Sequence, residues 1–226
     1  MPEQSASQPL GIFGGTFDPP HLGHLILAAE ATSQMKLDRL LWVLTPDPPH
    51  KRDQQLTPID IRFELVQLSL MDDPTFEMCR IDLDRPGPHY TLDTVRLIQR
   101  DYPDAELYYL IGGDSLHDYP NWHQASELLG ELKGLGVMRR PGDQINMSLL
   151  ETQIPGIIQK IYFIEAPLLE IASHQIRRRI HQGRPFRYYI LPVVYQRILE
   201  KKYYSDLSPD KNGDPDPMNH QGDNRN

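Results

Sequence analysis

Residues 10–25 read LGIFGGTFDPPHLGHL, and this stretch decides the fold. Its opening residues form a short apolar run that predicts a buried strand, which two consecutive glycines then end. Asp18 suits the N-cap of a helix, and proline tolerates the first helical positions, so we expect a helix to start there. From Leu22 onward, apolar residues recur at helical spacing. The stretch therefore predicts a strand, a glycine turn and a helix whose first turn carries two histidines.

This arrangement is suited to binding a chain of phosphates. Gly14 and Gly15 allow the backbone to approach a ligand, because they have no Cβ. A helix N-terminus offers unpaired amides and a partial positive charge, which together attract an anion. His21 and His24 add imidazole donors beside those amides. The glycine spacing does not match the dinucleotide fingerprint, and no Gly-Lys-Ser/Thr follows to make a P-loop.

Two other interpretations of the histidines compete with phosphate binding. A metal site would need further ligands, but no Asp, Glu or Cys stands at ligand spacing beside His21 and His24, so no metal ligand is predicted. A glycine turn with surface histidines is the other interpretation. Two histidines that bracket a glycine directly after Asp-Pro-Pro favour a binding role instead.

Composition restricts the class of protein. A chain of 226 residues suits one domain with a full core, and a formal charge of −8 argues against a nucleic-acid surface. The single cysteine, Cys79, cannot form an internal disulfide and fits a reducing cytosol. The N-terminal residues do not resemble a signal peptide, and no apolar run approaches the roughly 20 residues that span a bilayer. We expect a cytoplasmic protein without nucleic-acid or membrane partners, and the oligomeric state stays open, with an oligomer allowed.

Short apolar strands alternate with helices along the chain, which predicts right-handed βαβ units. The expected fold is α/β, with a doubly wound, mostly parallel sheet in a single domain. The six expected strands cover residues 10–13, 40–44, 76–81, 107–111, 135–138 and 161–164. The expected helices begin near residues 22, 60, 90, 125, 173 and 192, whereas 116–123 is expected to be irregular. Residues 205–226 contain almost no apolar side chains and predict a disordered tail.

The segment GGTFDPPHLGH, residues 14–24, resembles the signature of the nucleotidyltransferases that carry an H-x-G-H motif. The resemblance extends to Tyr203 and is nearest to the bacterial nicotinate-nucleotide adenylyltransferases. It implies a Rossmann-like nucleotidyltransferase domain over residues 10–204, preceded by a polar extension over 1–9. It also implies catalytic roles for His21 and His24. It implies ATP contacts from Gly14, Gly15, Thr16 and Phe17.

Motifs after later strands match the same family. Lys51, in Pro-Pro-His-Lys, matches a loop whose lysine can neutralise charge as pyrophosphate leaves. Arg140, in Arg-Pro-Gly, matches a further ATP-binding motif. Gly112 and Asp114 follow a buried strand, and the resemblance implies contacts to adenine and ribose there.

Two segments resemble the family's mononucleotide pocket. Tyr90, Thr91 and Asp93 match its Y-T-x-D-T segment, which helps to form that pocket. In the family, a tryptophan lies against the nicotinate ring, and its amide and the next one hold the ring's carboxylate; here these residues are Trp122 and His123. Trp42, by contrast, lies in mid-strand and is expected in the core.

Residues 171–177 read IASHQIR and resemble the family's second signature, I-S-S-T-x-I-R, where a helix start meets the nucleotide's phosphates. Ser173, Ile176 and Arg177 match, and Arg177 is a good phosphate ligand by its geometry. Ala172 cannot supply a hydroxyl. His174 replaces a threonine, and we hypothesise that it donates a hydrogen bond to a phosphate oxygen, which protonation would strengthen.

The resemblance implies transfer of an adenylyl group from ATP to nicotinate mononucleotide, a step of NAD biosynthesis, with Mg²⁺ carried on the ATP phosphates. Nothing in the sequence resembles an activated Ser or Cys nucleophile, so direct in-line attack without a covalent intermediate is expected. Three alternatives stay open. The acceptor could be nicotinamide mononucleotide or phosphopantetheine; the chain could be a nucleotide-binding regulatory module without turnover; or the histidines could serve a zinc-dependent hydrolase.

Overall fold

The computed structural model describes residues 8–48, 56–139, 145–167 and 169–205. Its strands are β1 Gln8–Gly15, β2 Arg39–Leu44, β3 Phe76–Cys79, β4 Ala105–Gly112, β5 Gly134–Met138 and β6 Ile161–Ile164. They form one six-stranded sheet in the order β3-β2-β1-β4-β5-β6. Each pairing between neighbours in this sheet is parallel. The chain therefore starts in the middle of the sheet, builds one half outward, and returns to build the other.

Helices connect the strands and cover both faces of the sheet. They are α1 Leu22–Gln34, α2 Ile59–Leu70, α3 Thr91–Asp101, α4 Gly113–Asp118, α5 Ala125–Glu131, α6 Met147–Gln153, α7 Ser173–His181 and α8 Pro192–Lys201. Short 3₁₀ helices lie at Tyr119–Asn121, Ile158–Lys160 and Arg187–Tyr189. None of these helices is long and apolar enough to cross a membrane.

Successive side chains along each strand point to opposite faces of the sheet, which explains why helices cover both faces. In β2, Leu41 and Val43 point into one core with residues of α3 and α5, whereas Trp42 points into the opposite core with residues of α1. Trp42 is fully buried, which confirms the prediction made from its mid-strand location. Strands that are apolar on both faces are typical of a parallel sheet with helices on each side.

A third apolar cluster attaches the C-terminal helices to α2. Ile176 of α7 and Val194 of α8 pack with Leu65 of α2, and all three are fully buried. This packing holds the start of α7 near the start of α1, although the two helices are far apart in sequence.

The doubly wound parallel sheet is confirmed, and the differences from prediction concern short elements. Strand β1 begins at Gln8 and includes both Gly14 and Gly15, so the prediction that a glycine turn follows Phe13 is wrong. Helix α4 makes residues 113–118 helical, so the prediction of an irregular segment from 116 is wrong for 116–118. Helix α6 was not predicted either. It buries only Leu150, so it has no apolar periodicity to reveal it, and Asn146 caps it by accepting a hydrogen bond from the Leu149 amide at 3.0 Å.

Candidate active site

The centre of the sheet holds the site. Strands β1 and β4 are neighbours, and the chain leaves their carboxyl ends in opposite directions, which opens a crevice where ligands of doubly wound folds bind. The predicted glycines at the ends of these strands, Gly15 and Gly112, face this crevice together with the starts of α1 and α4. The sequence motifs are thus brought to one edge of the sheet.

The start of α1 differs from the prediction in its cap. Helix α1 begins at Leu22 with His21 as its N-cap, so the expectation that Asp18 caps it is wrong. The Asp18 carboxylate is buried instead, and its Oδ2 accepts a hydrogen bond from the backbone amide of Thr57 at 3.1 Å. Two prolines then carry the chain from Asp18 to the helix. The Asp18 carboxylate therefore stabilises the turn before α1 through its bond to Thr57, and it does not cap the helix.

The two histidines form a stacked pair at the helix start. Their ring centroids are 3.6 Å apart with an angle of 20° between the planes, and His21 is only 6% exposed. The backbone amide of His21 donates to Nδ1 of His24 at 3.2 Å. Since Nδ1 accepts, a neutral His24 carries its proton on Nε2. The backbone thus fixes the His24 tautomer that has Nε2–H as a donor.

Gly23, between the histidines, has a geometric reason to be glycine. A Cβ at this residue would lie 3.1 Å from Nδ1 and 3.2 Å from Cε1 of His21. The H-x-G-H spacing therefore leaves room for the first imidazole to lie over the opening turn of the helix.

The two glycines at the end of β1 lie against aromatic side chains. A Cβ on Gly15 would meet the ring of Phe17, and Phe17 is 2% exposed, packed against Phe13 and Trp42 at centroid distances of 5.2 and 4.9 Å. Phe17 has a left-handed backbone, with φ 46°. The side chain of this predicted ATP-binding residue belongs to the core, so only its backbone can face a ligand.

Tyr109 of β4 connects the two halves of the crevice, and sequence reasoning missed it. Its hydroxyl lies against Gly14, where a Cβ would collide with it, and it hydrogen-bonds the side chain of Thr91 at the start of α3. Burial raises the pKa of Tyr109 to about 12. The hydroxyl therefore stays protonated and fixes the distance between the end of β1 and α3.

The predicted mononucleotide residues gather beside Tyr109. The rings of Tyr90 and His123 stack with centroids 4.0 Å apart and an angle of 18° between the planes. Trp122 is half-buried, edge-on to Tyr109 at 6.1 Å and tilted against Tyr119 at 5.3 Å. The other predicted residue, Asp93, lies half-buried in the first turn of α3. Segments from α3 and from the region before α5 thus form one aromatic wall.

Asp114 lies in the first turn of α4, on the other side of the crevice. Its carboxylate folds back over Gly112, where a Cβ would collide with Oδ1. The side chain is exposed. An acceptor therefore stands at the carboxyl end of β4, as the prediction for a ribose contact requires.

Helix α7 closes the site against the turn before α1. Ser173 Oγ donates to the Pro19 carbonyl at 2.9 Å, and Arg177 Nη1 donates to the Asp18 carbonyl at 2.7 Å. Arg177 also lies 3.6 Å from Asp18 Oδ2, and its side chain is 14% exposed. The second signature therefore contacts the first directly.

The remaining α7 residues have different environments. His174 is exposed in the first turn, and Ala172 is the N-cap without a capping side chain. Ile176 is buried among the residues of α2 and α8, so its side chain packs rather than binds. Two predicted residues, Lys51 and Arg140, lie outside the described residues. Within the described ranges, no three His, Cys, Asp or Glu side chains are grouped so as to hold a metal ion.

Arg62 is another residue that sequence reasoning missed, although the sequence carries a signal. It lies on the face of α2 that buries Leu65, Val66 and Ser69. A charged residue on an otherwise buried helix face is unusual, and it needs polar partners. Those partners prove to be the loops of the site.

Comparison with known proteins agrees with this geometry. The pattern of the cytidylyltransferase-like family matches residues 12–179. The nicotinate-nucleotide adenylyltransferase of Bacillus subtilis is 36% identical over 195 residues, which cover 86% of this chain and 97% of that one. The chain belongs to the nicotinate-nucleotide adenylyltransferase family. A member from Thermomicrobium roseum, named a probable nicotinate-nucleotide adenylyltransferase, is 42% identical over 195 residues, covering 86% of this chain and 91% of its own.

Solved structures show that the fold is shared beyond these sequences. The nicotinic acid mononucleotide adenylyltransferase of Plasmodium falciparum, complexed with APC, superposes with a TM-score of 0.71 at 19% identity. The alignment covers 87% of this chain and 97% of that protein. The same protein has been solved in complex with NaAD, with the same TM-score of 0.71. At 19% identity, this superposition shows a shared fold and nothing more.

Proposed function

We propose that this chain transfers the adenylyl group of ATP to nicotinate mononucleotide, giving nicotinate adenine dinucleotide and pyrophosphate, a step of NAD biosynthesis. The observation that carries the proposal is the stacked pair His21 and His24 at the N-terminus of α1, beside the glycines that end β1 at the switch point of the sheet. An anion-binding helix end with two imidazoles suits a polyphosphate. The names of the curated relatives support this reaction.

The reaction is one in-line displacement at phosphorus. A phosphate oxygen of nicotinate mononucleotide attacks the α-phosphorus of ATP, and the bond from that phosphorus to the bridging oxygen breaks. Pyrophosphate leaves with the electron pair. The attacking phosphate is already ionised at neutral pH, so the protein needs no general base. Its work is to hold two anions together and to stabilise charge on the oxygens.

The first signature supplies donors for that charge. Since the His21 amide fixes Nδ1 of His24 as an acceptor, His24 presents Nε2–H, which donates to a phosphate oxygen. The imidazole of His21 and the amides at Gly15 and Thr16 act beside it. The partial positive charge of the α1 N-terminus adds to their effect. Gly14 keeps the end of β1 close to Tyr109, and Phe17 supports the turn before α1 from the core.

The second signature both holds the turn and supplies charge. Arg177 donates to the Asp18 carbonyl, and its guanidinium places a fixed positive charge beside the turn, where it can attract a phosphate. Ser173 acts through the Pro19 carbonyl, and Ile176 acts through packing. The exposed His174 donates to ATP. Lys51 and Arg140 also neutralise phosphate charge in this proposal.

The two ends of the product bind on opposite sides of the turn. Asp114 accepts hydrogen bonds from the ribose of ATP near Gly112. Trp122 and His123 receive the nicotinate ring and its carboxylate, and Tyr90, Thr91 and Asp93 complete that pocket. Mg²⁺ arrives with ATP as part of the substrate and keeps most of its waters there. The reaction is cytoplasmic, and nucleic acid takes no part in it.

A comparison of acceptors tests the proposal. Pyrophosphate release is measured with ATP and, in turn, nicotinate mononucleotide, nicotinamide mononucleotide and phosphopantetheine. We expect the highest kcat/KM with nicotinate mononucleotide, whose carboxylate can accept from the amide of His123. The Trp122 amide already donates to the Tyr119 carbonyl at 3.0 Å, so Trp122 would act through its ring. A higher value with another acceptor would replace the assigned substrate, and no steady turnover with any acceptor would leave a regulatory module. Tightly bound zinc, measured by elemental analysis, would favour a hydrolase.

A further inference from the structure

Arg62 joins three segments of the chain through one buried side chain. It is 2% exposed, and its guanidinium donates four hydrogen bonds, all to backbone carbonyls. Nε donates to Thr57 at 2.9 Å, and Nη1 donates to Thr16 at 3.1 Å and to Thr45 at 3.0 Å. Nη2 donates to Pro46 at 2.9 Å. The acceptors follow β1, follow β2 and precede α2.

Stability alone gives a poor account of this side chain. Burial lowers the pKa of Arg62, which reflects the cost of removing its charge from water, although the charge of Asp18 acts in the opposite direction. Its hydrogen-bond partners are carbonyls rather than a carboxylate. Leu65 and Val66 fill the same face of α2 without that cost. A guanidinium in this place therefore contributes geometry, because its rigid fork holds several acceptors at fixed angles.

The carbonyls that Arg62 holds belong to the site. Thr16 lies in the turn of the first signature, between the glycines and the helix start. The Thr57 carbonyl accepts a hydrogen bond from Arg62, and the Thr57 amide donates to the Asp18 carboxylate at 3.1 Å. The Asp18 carbonyl in turn accepts from Arg177. Arg62 is thus the common support of the turn that meets ATP and of the segment ends at Pro46 and Thr57.

We propose that Arg62 is a positioning residue for adenylyl transfer. It fixes the turn at Thr16 so that the amides there and the imidazole pair meet the ATP phosphates in reactive geometry. The inference rests on the proposed function. Lysine keeps the charge but has a single nitrogen with three donors, so it cannot hold all four carbonyls as the planar guanidinium does. Arg62→Lys therefore separates the fork from the charge.

The experiment uses the full chain with ATP and nicotinate mononucleotide, and it compares Arg62→Lys with Arg197→Lys. The control weakens the ion pair between Arg197 of α8 and Glu64 of α2, so it loosens the same helix through a different side chain. Among the described residues, the ion-pair partners of Arg197 are Glu64 and Glu200. We expect Arg62→Lys to lower kcat about 100-fold, as a displacement of about 1 Å does, with the KM for the mononucleotide nearly unchanged. Arg197→Lys should keep the wild-type kcat.

Each result decides the question. A kcat for Arg62→Lys equal to that of Arg197→Lys, with an active wild type, would overturn the inference while leaving the proposed function intact. An inactive wild type would overturn the proposed function itself. Arg62→Gln, whose amide keeps one nitrogen with two donors, provides a second variant if the lysine variant does not fold. If neither variant folds by circular dichroism, Arg62 is a stability residue and the inference is wrong.

Discussion

Substitution of Gly23 by alanine should lower activity without lowering stability. The added Cβ would lie 3.1 Å from Nδ1 and 3.2 Å from Cε1 of His21. Non-bonded heavy atoms prefer about 3.5–4.0 Å, so the imidazole must move by about half an ångström. It has little room to do so, because His24 stacks on it at 3.6 Å and His21 is 6% exposed.

The size of the effect follows from that displacement. A misplacement of about 1 Å in an active site can cost about 100-fold in rate, so half of it should cost about tenfold in kcat, or ~1.4 kcal/mol. Alanine is a better helix former than glycine by up to ~1 kcal/mol. For a chain of this size, that gain raises Tm by at most about 4 °C. The crowding of His21 opposes that gain, so Gly23→Ala should be about as stable as the wild type and still be slower.

Steady-state pyrophosphate release and a thermal unfolding curve measure both quantities on one sample. Gly130→Ala is the matched control, because Gly130 lies inside α5 and a Cβ there meets nothing within 4 Å. It should gain stability in the same way and keep the wild-type kcat. If Gly23→Ala turns over as fast as Gly130→Ala, then the contact between residue 23 and the first imidazole has no part in catalysis.

Three further predictions concern single side chains of the site. His24→Ala should lower kcat on the order of 100- to 1,000-fold, the usual cost of one well-placed donor, with an unchanged circular dichroism spectrum. Tyr109→Phe should lower the free energy of unfolding at pH 7 by ~1 kcal/mol, since it removes the hydrogen bond to Thr91. The wild-type KM for ATP should rise as the pH passes about 6.5, where an ordinary histidine loses its proton, and His174→Thr should remove that dependence.

The sign of the Tyr109 effect can be checked against pH. Burial raises the pKa of this hydroxyl from 10.0 to about 12, so the folded state favours the protonated form. Its contribution to stability is present below pH 10 and is lost as the pH rises toward 12. Urea unfolding across this range should give a steeper fall for the wild type than for Tyr109→Phe. Parallel curves would refute the assignment, as near-normal turnover of His24→Ala or a pH-independent wild-type KM would refute the other two predictions.

The fold could be predicted from the sequence because its central strands contain apolar runs, and β1 and β4 end at glycine. Buried parallel strands need apolar side chains on both faces, as Leu41 and Trp42 illustrate. Helix α6 left no such pattern, because it buries only Leu150. Local sequence therefore predicts the elements that build the two cores and misses the short helices at the surface.

The site was predictable to the extent that its residues lie at strand ends and helix starts. The location of the histidines at the start of α1 followed from local rules, whereas the glycines belong to β1 and do not form the expected turn. The role of Asp18 did not follow from local rules, because its partner Thr57 lies 39 residues away in sequence. Tyr109 was missed for the same reason, since it reads as one more strand residue until β4 pairs with β1 and brings its hydroxyl to Gly14. Long-range contacts decide the roles of such residues.

The hydrogen bonds from α7 to the turn at Asp18 and Pro19 bear on the order in which the site is assembled during synthesis. The ribosome synthesises the chain from its N-terminus, so His21 and His24 emerge early. Ser173 and Arg177 emerge long afterwards. A nascent chain that already contains all six strands of the sheet still lacks Arg177, which holds the turn before α1 through the Asp18 carbonyl. In the proposed mechanism, the site is therefore complete only after α7 has been made, long after both imidazoles.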